Sequence, residues 1–168
     1  TAVSAAASGE TVAAVSGAAI TVGCELALMC DVRIVTPNAV FHESWLKMGL
    51  MPPLGGAMLL PRLIGLSRAK AMILEGKPLT ASEALELGFA SEITPHETLR
   101  ARAEARAKEL AQAPPLAYRA AKEALHRGLE STMEIEWSTN VMAQSMLIAT
   151  PEFRAAVEKA KARMPRKA

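Results

Sequence analysis

The chain has 168 residues and a formal net charge of +2, with 51% of its residues hydrophobic and 21% charged. That is enough apolar material for one ordinary core, with no bias towards disorder. A charge this small gives no reason to expect nucleic acid or an anionic membrane as partner. No apolar run approaches the roughly 20 residues of a membrane helix, and no basic segment with an apolar core opens the chain, so a soluble protein is expected.

In chain order, residues 1 to 10 are small and polar without a period, and the start at Thr1 in place of Met predicts a natural start that lies upstream or was removed. Thr11 to Val15 reads as a buried strand running into a tight turn at Ser16-Gly17. The apolar residues from about Val22 to Cys30 crowd into a short helix. Within this stretch Cys24 and Cys30 have no second pair to complete a metal site or a disulfide framework. They read as buried thiols of a reducing compartment, the cytoplasm. Two strands, Val32 to Val35 and Ala39 to Phe41, flank the turn signal Thr36-Pro37-Asn38.

Three Gly and two Pro between Lys47 and Gly56 predict a loop, followed by short helices over 57–63 and 67–74 that stop at Gly65 and Gly76. Thr80 and Glu83 form a capping box on the T-x-x-E pattern, Gly88 closes that helix, and Phe89 to Ile93 follows as a strand. Everything after Pro95 reads as helix, over 96–112, 115–128, 132–148 and 151–163. The third is apolar around most of its circumference, with Ile135, Trp137, Val141, Met142, Met146 and Ile148. In the last, Phe153, Ala156, Val157, Ala160 and Met164 share one face. These helices predict either a subunit interface or a bundle core within the chain. From Glu152 to the end, six Lys or Arg stand against two Glu, a solvated terminus or a contact for a phosphate-bearing ligand. Strands alternating with short helices, then helices alone, make an α/β core over 1–95 with a helical region over 96–168.

Three motifs fall away. His42-Glu43 opens an H-E-x-x-H zinc motif only if position 46 is His, and it is Leu46, so no metal is expected. Ser16 follows a strand as a hydrolase nucleophile would, but Ala14 and Ala18 occupy the glycine positions of G-x-S-x-G, so turn chemistry is the preferred reading and a serine hydrolase the alternative. Gly55-Gly56 is too sparse for a phosphate loop.

Residues 12 to 34, Val12-Ala-Ala-Val-Ser-Gly-Ala-Ala-Ile-Thr-Val-Gly-Cys-Glu-Leu-Ala-Leu-Met-Cys-Asp-Val-Arg-Ile, closely resemble the crotonase signature A-A-V-N-G-x-A-x-G-G-G-x-E-L-A-x-x-C-D. The likeness continues through Ala39-Val-Phe41, Gly49-Leu-Met-Pro-Pro-Leu-Gly-Gly56, Leu60-Pro-Arg-Leu-Ile-Gly65 and the stretch from Gly76 to Gly88. The chain thus resembles the C-terminal two-thirds of the crotonase superfamily, the enoyl-CoA hydratase/isomerase family. The resemblance implies a crotonase-like (ClpP/crotonase) ββα spiral core, here without its N-terminal part, and a C-terminal helical trimerisation region. It also implies an acyl-CoA substrate with no cofactor besides that coenzyme A thioester, and a homotrimer or a dimer of trimers.

An enzyme that makes an enolate from a thioester needs donors where charge develops on the thioester oxygen. The resemblance places one such amide on Val22, beside Gly23, at the positive end of the first short helix. Glu25 matches an acid/base glutamate of the family's hydratases. Their second glutamate falls on Trp45, and the loop amide that steadies the attacking water falls on Pro53, which has no N–H to give. Glu43 would point the same way as Trp45 if the strand continued, although a solvent-facing Glu43 is the favoured expectation. Trp45 also resembles the superfamily's aryl-CoA dehalogenases, but their nucleophilic Asp falls on Pro53, so that activity is not implied. Trp45, Glu43 and Pro53 are the expected acyl pocket, suited to a bulky or aromatic acyl group. Lys159 resembles a lysine lent to the CoA of a neighbouring subunit. Two further readings stand: enolate chemistry with Glu25 as single acid/base, or a non-catalytic acyl-CoA-binding subunit.

Overall fold

Val12, Ala13, Ala14 and Val15 are all buried, so the strand they form, β2 (Thr11–Val15), carries apolar side chains on both faces. In a pleated strand this means a covering layer on each side. In a computed structural model of the chain, which describes residues 2–5 and 9–163, β2 sits inside a four-stranded sheet. Its neighbours are β1 (Ala2–Ala5), antiparallel, and β4 (Val32–Val35), parallel; β7 (Glu92–Ile93) pairs in parallel beyond β4. A second sheet has the order β3 (Ala18–Ile20), β5 (Val40–His42), β6 (Leu79–Thr80).

After each long strand the chain turns and adds a short one to the other sheet, β2 to β3 and β4 to β5, and after β3 it enters helix α1 (Val22–Leu28). The two turns are tied together, since Thr36 N donates to Val15 O and Val40 N to Gly17 O. This is a ββ step followed by a helix and then a second ββ step laid alongside, which keeps β2 parallel to β4 and β3 parallel to β5. Strands β1 and β3 and the pair β6 and β7 replace or shorten what the sequence predicts, because two or three residues of pairing leave too little alternation to read.

One face of the first sheet, with Ala13, Val15 and Val35, shares a core with α1, α2 (Gly56–Ile64), α3 (Leu66–Ile73) and α4 (Ala81–Glu86). Its other face, with Val12, Ala14, Val32 and Ile34, packs on Leu99, Ala103 and Ala107 of α5 (His96–Leu110). The expected division at residue 95 is therefore corrected: the compact units are 1–110 and 111–168, because α5 covers the sheet. The second unit is α6 (Pro115–Arg127), α7 (Met133–Ile148) and α8 (Pro151–Arg163). Arg127 joins α6 to α7 through Glu136 (2.7 and 3.0 Å) and Asn140 (3.0 Å). No residue of α6 or α7 is buried, and Trp137, Val141, Met142 and Met146 are each more than 60% exposed. The bundle-core expectation fails for α7, since three helices cannot cover a helix apolar on every side. Met164 of the expected α8 stripe lies outside the described residues. No helix among the described residues is long and apolar enough to cross a membrane.

Arg33 and Asp31 hold the spiral together from inside. Asp31 Oδ2 accepts from both N and Oγ1 of Thr11 (2.8 and 2.9 Å), fixing the start of β2 to the end of α1. Arg33, buried on β4, donates from Nη1 to the carbonyls of Ala27, Leu28 and Cys30 and from Nε to that of Phe89, while its guanidinium stacks 5.2 Å from the Phe89 ring. The Leu28 and Cys30 carbonyls lie at and just beyond the end of α1, where carbonyls run out of helical partners, while Ala27 O also accepts from Cys30 N at 3.2 Å. Burial pulls the guanidinium below its ordinary value. Arg33→Met keeps the bulk and removes the donors, so urea denaturation should show a loss of at least about 2 kcal/mol, from carbonyls left buried and unpaired.

Candidate active site

The site is built where β3 hands over to α1. Thr21 N donates to His42 O at 2.8 Å, which completes the β3–β5 pairing, and the chain then turns sharply at Thr21, φ 51° and ψ −112°. A positive φ is rare for a β-branched residue, and the resemblance puts glycine at this position. Strain of this kind persists only where the surroundings impose it. Among the described residues the next three amides, of Val22, Gly23 and Cys24, have no acceptor. They are the free amides of a helix start, and Val22 is 44% exposed beside them.

One turn inside, Glu25 is fully buried. Its Oε1 accepts from Leu54 N (3.1 Å) and Gly56 N (2.8 Å), and Leu54 N also lies 3.3 Å from Oε2. Alternation on α1 explains the burial: Val22, Leu26 and Met29 face solvent while Cys24, Glu25, Ala27 and Leu28 face inward. The holding amides come from the loop before α2, where Gly55 takes φ 105°. A Cβ on Gly56 would stand 2.8 Å from Glu25 Oε1 and 3.2 Å from Pro52 Cβ. The Gly-Gly pair, set aside as a phosphate loop, is thus a cradle for a carboxylate, a role for which the only available signal is the close backbone approach that paired glycines permit.

The sequence favours a solvent-facing Glu43; the structure buries it, 1% exposed. Strand β5 continues its alternation past His42, so Glu43 turns inward with Phe41. Neither carboxyl oxygen of Glu43 has a hydrogen-bond partner among the described residues, nor does Nε1 of Trp45, also buried. Burial pushes the Glu43 carboxyl up from its ordinary 4.5; the nearby Cys24 thiol pulls it down, Glu25 pushes it up again and the Trp45 indole pulls it down. Burial likewise drives the Cys24 thiol far above the usual range, with Glu43 adding to the effect. Glu25, Glu43, Cys24 and Trp45 therefore form one closed polar group.

The other expected residues lie elsewhere. Pro53 is exposed, so of the three expected acyl-pocket residues Trp45 and Glu43 are in this group and Pro53 is not. Lys159 is exposed on α8 in the second unit. Ser16 Oγ lies 2.9 Å from His96 Nδ1, an exposed pair, and no carboxylate among the described residues bonds His96 to complete a triad.

The family model for enoyl-CoA hydratase/isomerase matches residues 7–165. A Mycobacterium tuberculosis protein named "probable enoyl-CoA hydratase" is 42% identical over 123 residues, 73% of this chain and 48% of that protein. The 2,3-dehydroadipyl-CoA hydratase of Escherichia coli is 36% identical over 141 residues, 84% of this chain and 55% of that protein. The chain spans about half the length of these curated relatives. Among solved structures, an enoyl-CoA hydratase subunit from Geobacillus kaustophilus superposes with a TM-score of 0.86 at 30% identity, covering 96% of this chain and 63% of that one. A Thermobifida fusca protein described as an enoyl-CoA hydratase, solved in complex with CoA, gives a TM-score of 0.76 at 33% identity, covering 82% of this chain and 54% of that one. A second structure of it holds acetoacetyl-CoA.

Replacing Gly56 with Ala tests the cradle through the sign of its effect. Gly to Ala in a helix ordinarily gains roughly 0.5–1 kcal/mol, whereas here the added methyl meets Glu25 Oε1 and should cost about 1–3 kcal/mol. Chemical denaturation should show a lower midpoint for Gly56→Ala; a higher one would mean that the carboxylate is not held there.

Proposed function

The chain belongs to the enoyl-CoA hydratase/isomerase family, and on that premise we propose that it handles acyl-CoA thioesters through an enolate. Glu25 is the general acid/base, and the Val22 N–H, with Gly23 beside it, stabilises the thioester oxygen. The observation that carries this reading is the fixed carboxylate of Glu25 one turn inside a helix whose opening amides have no acceptor. The CoA and acetoacetyl-CoA complexes of the Thermobifida fusca protein support the substrate class.

In the step proposed, a carboxylate oxygen of Glu25 takes a proton from the carbon next to the thioester carbonyl. The C–H electron pair moves into the C–C bond, the carbonyl pair moves to oxygen, and the amides meet the charge as it develops. Returning the proton to a conjugated carbon isomerises the double bond. Water addition is harder here, because Trp45 stands where the resemblance puts the second hydratase glutamate and Pro53 offers no N–H to hold the water. Proton shuttling or isomerisation is therefore the preferred reaction.

Glu25 is closed from solvent in the chain as it stands. A substrate reaches it only as the loop over residues 49–55, whose Leu54 amide holds it, gives way. That closure favours the second reading, a non-catalytic acyl-CoA-binding subunit. The exposed apolar side chains of α7 support assembly as a homotrimer or dimer of trimers, in which Lys159 would meet the CoA of a neighbouring copy. Cys24 and Cys30, both buried and in no disulfide, suit a reducing compartment such as the cytoplasm.

Glu25→Gln keeps the shape and the capacity to accept an amide hydrogen while removing the base. Exchange of the α-proton of acetoacetyl-CoA or butyryl-CoA into deuterated water should fall by about 10²–10⁴-fold, with binding retained within a few-fold. A wild-type chain that binds either thioester yet exchanges nothing would decide for the non-catalytic reading.

A further inference from the structure

We infer that Glu43 is a positioning residue of this site: it is held as a neutral carboxylic acid behind Glu25, so that the buried pair carries a single negative charge and carries it on Glu25. The inference rests on the acyl-CoA reading, in which Glu25 is the working base, and extends it to a residue that the signature leaves undefined.

The two carboxyls differ in what surrounds them. Glu25 meets two backbone amides, donors that its oxygens can accept from. Glu43, equally buried, meets no backbone amide: both its oxygens are unpartnered among the described residues, and the donors near it are the Cys24 thiol and the Trp45 indole. An ionised carboxylate there would lose its hydration and gain only a weak thiol donor and one indole N–H, beside the charge of Glu25, at a cost of several kcal/mol. A neutral acid has a carbonyl that can take the unpaired Nε1–H of Trp45 and an O–H that can turn towards Cys24 Sγ or Glu25. The proton adds an O–H donor to Glu43 and removes a second charge from beside Glu25.

The charges around Glu43 agree. From α1 it faces Cys24, itself kept as a thiol by burial, and Glu25, whose charge opposes a second one. On β5, His42 is engaged by Nε2 with Gly76 O (2.8 Å) and by Nδ1 with Ser44 Oγ (3.3 Å). Lys47 and Glu75 line a cavity of about 200 Å³ whose lining includes Glu43, but no cation forms an ion pair with Glu43 among the described residues. Paired carboxyls whose surroundings differ this way divide into a base and a proton holder. Ionising Glu43 would set a second negative charge beside Glu25 and oppose enolate formation.

The pH sign follows. The unfolded carboxyl titrates near 4.5 and the folded one higher. The contribution of Glu43 to stability is thus complete below that value and declines as pH rises towards the folded-state value.

The direct test is isotope-edited infrared spectroscopy of the intact chain with labelled glutamate at pH 7. A protonated-carboxyl band should be present in the wild type and missing in Glu43→Gln. On denaturation, the stability of Glu43→Gln relative to wild type should increase between pH 4.5 and 8. In α-proton exchange, wild type should show an alkaline decline that is missing in Glu43→Gln, since glutamine has no proton to lose. Absence of the band in wild type overturns the inference whatever the activity. A band with superimposable pH profiles for the two proteins overturns the positioning role. Failure of the acyl-CoA reading looks different: an inactive wild type whose band is intact, with the charge placement upheld.

Discussion

Everything in the site depends on one buried carboxylate being met by backbone. Glu25 comes from a helix seven residues long, and its carboxylate is anchored not by a cation but by the amides of Leu54 and Gly56, which lie 29 and 31 residues later in the chain. A buried charge without donors would be untenable, so the loop must close over α1 as the core forms. That closure fixes the start of α2, leaves space only for glycine at position 56, and points α1 so that its first amides stay free. Asp31 and Arg33 anchor the other end of the helix, one to β2 and the other through the final carbonyls of α1. The opening turn of α1 is thus held from both ends, which is what lets Thr21 sit in a conformation that its side chain disfavours.

Much of the first unit is legible in the sequence because its elements obey simple periods. Thr11 to Val15 and Val32 to Val35 are runs of buried strand, Thr80 and Glu83 form both halves of their capping box, and the prolines and glycines mark helix ends to within a few residues. What the sequence hides is contact between distant backbone groups. Nothing in Leu54 or Gly56 announces an amide aimed at Glu25, since a backbone donor has no residue type. Glu43 is misjudged for a related reason: a glutamate is normally exposed, and only the continuing alternation past Phe41 turns it inward. The division into units is misplaced because α5 has its apolar stripe in three small or medium residues, Leu99, Ala103 and Ala107, too modest a signal to separate a helix that covers a sheet from one that joins the helices after it.

The two replacements at Trp45 and Pro53 acquire a physical meaning from the geometry. By the resemblance Trp45 stands where the family's hydratases carry a second carboxylate, and its indole N–H lies unpaired in the same closed group as Glu43. The site that results keeps one carboxylate fixed by the Leu54 and Gly56 amides and a second buried carboxyl without such donors. On the proposed reading, such an arrangement suits the movement of protons on a bound thioester better than the capture and activation of water, which needs two opposed acceptors.

The central claim is that the amides at the opening of α1 receive the thioester oxygen. Amide NMR of the labelled chain, titrated with acetoacetyl-CoA, tests it most directly. The account predicts that the Val22 and Gly23 amide protons move downfield on binding and that the Glu25→Gln chain shows the same shifts. Saturable binding that leaves Val22 and Gly23 unmoved, with the perturbations clustered elsewhere, would contradict it.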